Sequence, residues 1–92
     1  MALKILKKNG TFELRGNLNS KTSRSFIIHF EYLINTAKNV TVNIDKVEKI
    51  DVCGIEALKT LIAISLKSNN LFNIIGNRSK DIYNYKSKVF AA

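Results

Sequence analysis

Three residues in one short run could do chemistry together: the carboxylate of Asp51, the thiol of Cys53 and, through Gly54, the start of an apolar helix. A helix start presents unpaired backbone N–H groups and the positive end of a dipole. The run Ile50-Asp51-Val52-Cys53-Gly54-Ile55 is therefore suited to hold an anion or to meet a partner. The same dipole draws a thiol toward its reactive thiolate form, which would make Cys53 a redox-sensing group, although the charge of Asp51 opposes this. The simpler expectation is that Cys53 fills a small, serine-sized position under the turn. Cys53, His29 and Asp51 would make a nucleophile, base and orienter only if His29 reached this turn, and nothing in the sequence brings it there. One cysteine and one histidine without CxxC or HxxxH spacing supply no zinc site, and no GxxxxGK loop cradles a phosphate. The chain reads as a non-enzyme that needs no cofactor.

The elements that must position this turn follow from periodicity. Leu3, Ile5 and Leu6 begin a short strand, and Asn9-Gly10 is a two-residue hairpin signal. Thr11 to Arg15 alternates, with Phe12 and Leu14 on one face, until Gly16-Asn17-Leu18-Asn19-Ser20 breaks the strand and offers Asn19 or Ser20 as a helix cap. Phe26, Ile27, Phe30, Leu33, Ile34 and Ala37 then recur at helical spacing, with His29 beside the stripe as a surface or boundary residue. Lys38-Asn39 ends that helix. Val40, Val42 and Ile44 alternate as a strand, and Val47 and Ile50 anchor an otherwise polar loop. From Gly54 a second helix turns Ile55, Leu58, Leu61, Ile62, Ser65 and Leu66 inward, with Ala57 and Ala63 allowing close approach. Ser68-Asn69-Asn70 is its exit. Leu71 to Ile75 reads as a buried strand, and after Gly76-Asn77 a final helix over Arg78 to Val89 uses Ile82, Tyr85 and Val89.

The order β-β-α-β-α-β-α predicts an α/β fold: a single domain over residues 1–92 with a mixed four-stranded sheet, helices packed mainly on one face and the other partly open. At 92 residues one core is affordable, and 46% hydrophobic residues with 24% charged residues argue against disorder. No apolar run approaches a membrane span, the lysine-interrupted N-terminus is too short for a signal peptide, and the lone cysteine fits a reducing compartment. The expected location is the cytoplasm, with no direct membrane insertion. A net charge of +8 would suit nucleic acid, but its lysines are scattered from Lys4 to Lys88 among abundant asparagines, as an AT-rich genome would produce. A solvated basic surface is expected instead, with an acidic protein as the fitting partner. Oligomeric state has no sequence signal.

The run from Val42 to Leu58, Val-Asn-Ile-Asp-Lys-Val-Glu-Lys-Ile-Asp-Val-Cys-Gly-Ile-Glu-Ala-Leu, resembles the signature of STAS domains, in which a strand and short loop lead to Ile-Asp-Ser-Ser-Gly-Leu at a helix start. Leu14-Arg15-Gly16-Asn17-Leu18-Asn19 resembles that family's Gly-x-Leu-Asp turn, and the element order agrees across nearly the whole chain. The family includes anti-sigma factor antagonists, whose second serine is phosphorylated by a partner that is both serine kinase and anti-sigma factor. The resemblance places Asp51 at the aspartate, Val52 at the first serine and Cys53 at the phosphoacceptor, with Asn43 and Asn19 where aspartates are usual. Neither Val52 nor Cys53 accepts phosphate from such a kinase. The expectation is a binding module that stays constitutively in the state resembling the unphosphorylated form. Its docking surface would comprise Asp51, Val52, Cys53, Gly54 and exposed Glu56, Lys59 and Thr60, with Asn17, Asn19 and Ser20 nearby. Ser20, Thr22, Ser23 or Ser25 could instead carry a regulatory phosphate, though caps and solvated hydroxyls are their ordinary roles. The partner would be an anti-sigma factor or serine-kinase-like regulator; alternatively, the chain would bind the ATPase of a lipid transport complex as its STAS subunit.

Overall fold

The computed structural model describes residues 2–37 and 39–84. Asn9 and Gly10 both adopt positive φ, +51° and +81°. Their tight turn matches the twist of the strands it joins, β1 (Lys4–Lys8) and β2 (Thr11–Leu18), which pair antiparallel from Lys8–Thr11 to Lys4–Arg15. Then follow α1 (Ser23–Thr36), β3 (Asn39–Ile50), α2 (Val52–Ser68), β4 (Leu71–Ile75) and the short α3 (Ser79–Asn84). The strands lie in the order β1-β2-β3-β4, and β2, β3 and β4 are mutually parallel neighbours. Successive crossovers that step in one direction and are right-handed place their helices on the same face. Thus α1 and α2 pack side by side over the sheet, and the opposite face carries no helix among the described residues. The fold is the single mixed α/β domain that the element order predicts.

The core lies between these two layers. Leu14 and Leu18 of β2, Val40, Val42, Ile44 and Val47 of β3, and Phe72 and Ile74 of β4 meet Phe26, Phe30 and Ile34 of α1 and Ala57, Leu58 and Leu61 of α2. Ile82 of α3 is buried in the same cluster.

Four elements differ from the sequence reading. β2 does not break at Gly16 but continues to Leu18: its pairing with β3 runs through Gly16–Val47 to Leu18–Ile50, with Leu14 and Leu18 in the core and Gly16 against the Ala2 backbone. β3 does not end at Ile44: Asp45 to Ile50 is strand rather than loop. Ile44 and Val47 are three residues apart and cannot share one face of a regular strand. The pairing shifts between Glu13–Asn43 and Arg15–Lys46, and again between Gly16–Val47 and Asn17–Lys49, so β3 accommodates an extra residue twice and still buries both. β4 is a strand, but an edge one, with Leu71 58% and Ile75 42% exposed; only Phe72 and Ile74 point inward. The Tyr83 hydroxyl accepts the Ile74 N–H at 2.8 Å, satisfying part of that edge from α3. Leu66 is 71% exposed, because the inward stripe of α2 runs through Leu58, Leu61 and Ser65. Tyr85 and Val89 lie outside the described residues.

Candidate functional site

The site is assembled where two parallel strands end. Leu18 of β2 pairs with Ile50 of β3, and the Asp51 N–H continues the ladder by donating to the Leu18 carbonyl at 3.2 Å. Asp51 leaves the sheet in extended conformation and becomes the N-cap of α2. Its Oδ1 accepts the Gly54 N–H at 2.9 Å, occupying one of the unpaired donors of the helix start. The helix therefore begins at Val52, two residues earlier than the glycine suggests. Gly54 is buried against the end of β2, and a Cβ there would overlap the Leu18 carbonyl oxygen and lie 2.9 Å from its carbon and from Ile50 Cγ1. The first turn of α2 is thereby seated directly on the sheet. Val52, 59% exposed, and Cys53 are left projecting outward. Cys53 is not a filler under the turn: Gly54 occupies that position.

The loop that follows β2 is fixed by its own hydrogen bonds. Asn19 Oδ1 accepts from the N–H groups of Lys21 at 2.9 Å and Thr22 at 3.3 Å. The Thr22 hydroxyl donates to the Asn17 carbonyl at 2.9 Å and accepts the Asn19 N–H at 3.0 Å. Asn19 thus shapes the turn ahead of α1, whereas the helix N-cap is Thr22, which makes no side-chain capping bond. Ser20 is exposed on this loop. Asn19, Ser20, Thr22 and Asp51 line an open cleft of about 500 Å³, and Asn17, Asn19, Lys49, Asp51 and Arg78 line a second, of about 480 Å³. The proximity expected between the Asn17–Ser20 loop and the Asp51 turn is present, with Asn19 and Asp51 common to both clefts.

The α2 positions fare differently. Lys59 is not an exposed docking residue: it is buried, its Nζ donating to the Tyr83 carbonyl at 2.8 Å, because α3 packs over that flank of α2. Glu56 and Thr60 are half-buried, and the Thr60 hydroxyl is returned to the Glu56 carbonyl at 2.8 Å. Asn43 lines neither of these clefts; its Oδ1 accepts the Asp45 N–H at 2.8 Å in the β3 bulge. Arg78, which sequence reasoning missed, lines the second cleft while its Nη2 donates to the Val47 carbonyl at 3.1 Å. Its signal was positional: it follows β4, and crevices of parallel α/β sheets form at the carboxyl ends of strands.

His29 is exposed on α1, edge-on to the Phe30 ring at 5.1 Å, and no hydrogen bond joins it to Cys53 or Asp51 among the described residues. No group of three or more histidine, cysteine or acidic side chains converges among the described residues to hold a metal. No helix among them is long and apolar enough to cross a membrane. No family model and no curated protein matches the chain.

Asp51→Ala removes the cap and is expected to cost about 1 kcal/mol, lowering Tm by about 4–8 °C for a domain of this size. Asp51→Asn, which keeps an acceptor oxygen, should hold Tm near the wild-type value in the same thermal melt.

Proposed function

We propose that this chain is a non-enzymatic protein-binding regulator of the STAS type, similar to an anti-sigma factor antagonist, and that it docks through the start of α2. The supporting observation is the outward projection of Val52 and Cys53 beside the Asn19 loop, on a turn held from below by Gly54 and from within by the Asp51 cap. A rigid, exposed two-residue prow carries little ordering cost on binding. It also lacks the hydroxyl on which a serine-kinase switch at this position acts, so docking is constitutive. The partner is then the kinase-like anti-sigma factor itself.

The reading is tested with Cys53→Asp, which imitates the charge of a phosphate at the helix start without touching the core. Isothermal titration against the partner should show affinity reduced by about tenfold or more, with Tm within about 2 °C of wild type. Unchanged affinity would place the interface elsewhere. Incubation with the cognate kinase and ATP should leave position 53 unmodified. Phosphate at Ser20, Thr22, Ser23 or Ser25 accompanied by loss of binding would contradict constitutive docking.

A further inference from the structure

The sheet face that carries no helix among the described residues bears a charge arrangement that folding does not explain. Lys4 pairs in register with Arg15, and Arg15 with Lys46, so three cations stand side by side on adjacent strands. Neighbouring strands are only about 4.8 Å apart, and like charges directly opposite one another destabilise a sheet. Arg15 is partly neutralised, its Nε donating to Glu13 Oε1 at 2.6 Å. Lys4 and Lys46 form no ion pair among the described residues. The Glu13 carboxyl reports the field: the Arg15 hydrogen bond first, and then the charges of Arg15, Lys8 and Lys46, hold it below the usual carboxylate range. Between the cations lies an open cleft of about 500 Å³, lined also by Leu6 and Glu48.

The strand bordering this cleft, β1, is an edge of the sheet and, among the described residues, pairs only with β2. Its outer backbone groups are open to an added strand. Lysines on an edge resist pairing with a second copy of the same strand, and β1 carries Lys4, Lys7 and Lys8.

We propose that this cleft and the β1 edge dock an acidic, extended peptide segment of a partner protein. Its carboxylates would lie over Lys4 and Lys46, with an apolar side chain against the partly exposed Leu6. Two observations set this ligand above the other polyanions. A phosphate backbone carries a charge at every unit and would set one against Glu48, whereas a peptide can place an uncharged residue there, and among the described residues no aromatic ring lines the cleft to stack a base. A membrane surface would find Leu6 as the one large apolar side chain to insert there among the described residues. The site lies on the open sheet face and does not depend on the function assigned to the α2 turn.

The test uses fluorescence anisotropy of a short labelled peptide alternating glutamate and leucine, titrated with the full chain at low salt. The double variant Lys4→Ser, Lys46→Ser should bind about tenfold more weakly than wild type. Lys67→Ser with Lys80→Ser, which removes the same charge from exposed helical positions, should stay within about twofold. Circular dichroism of the first variant should match wild type, since neither side chain makes a hydrogen bond among the described residues. Equal weakening by both double variants, or no binding by wild type, would overturn the proposal. So would tighter capture of a single-stranded oligonucleotide or a phosphatidylserine vesicle through Lys4 and Lys46.

Discussion

Gly54→Ala should destabilise the domain by about 3 kcal/mol, a large effect for a single added methyl group. The added Cβ would overlap the Leu18 carbonyl oxygen, and its other near neighbours are the Leu18 carbonyl carbon and Ile50 Cγ1, both at 2.9 Å. Backbone on one side and a packed side chain on the other leave no flexible group to yield, so α2 must lift from the end of β2. The comparison is Gly10→Ala, where nothing lies within 4 Å of the new Cβ and only the φ of +81° resists. That strain costs about 1–2 kcal/mol. Urea midpoints at constant m-value measure both. Equal losses at the two positions would mean that the seat of α2 on the sheet is not tight.

Phe30→Ala should cost about 3–5 kcal/mol, a large part of the roughly 5–15 kcal/mol typical of a small domain. Phe30 is fully buried, and its ring meets Phe26 of the same helix at 4.9 Å, Phe12 of β2 at 5.3 Å and Phe72 of β4 at 6.3 Å. It therefore ties α1 to two non-adjacent strands, and truncation leaves a void bounded by several rigid rings that close over it poorly. The loss should appear in denaturant unfolding followed by circular dichroism. A loss below about 1 kcal/mol would show that the aromatic cluster repacks.

Much of this architecture was legible. Asn9-Gly10 specifies its hairpin turn because few other residue pairs take two positive φ values, and the Phe26–Phe30–Ile34 spacing declares the buried face of α1. What escaped were places where tertiary structure overrides a simple period. The first bulge of β3, between Asn43 and Lys46, buries Ile44 and Val47 together, a pattern that alternation alone reads as strand followed by loop. The apolar composition of β4 suggested burial on both faces, yet strand order is a property of the whole chain, and it left Leu71 and Ile75 at an edge.

The site shows the same division. Asp51, Gly54 and the Asn19 loop meet because β2 and β3 end as hydrogen-bonded neighbours, which the element order already implies. Lys59 was misplaced because helical phase alone cannot reveal that α3 covers it and draws its ammonium to the Tyr83 carbonyl. Arg78 was overlooked because it is separated from the Asp51 turn by the whole of α2 and β4. The geometry leaves Asp51, Val52 and Cys53 with the Asn17–Ser20 loop as the accessible part of the proposed docking surface, since Lys59 is buried and Glu56 and Thr60 are half-buried.

Docking through the start of α2 is tested most directly by photo-cross-linking in extract of the native cell. Photo-leucine is placed at Val52 in one protein and, as a control, at Leu66, which is 71% exposed farther along the same helix. Irradiation should give one discrete protein adduct from position 52 and none from position 66. Excess unlabelled wild type should compete that adduct away, and excess Cys53→Asp protein should not. An adduct from position 66 alone, no adduct from position 52, or equal competition by Cys53→Asp would contradict the assignment.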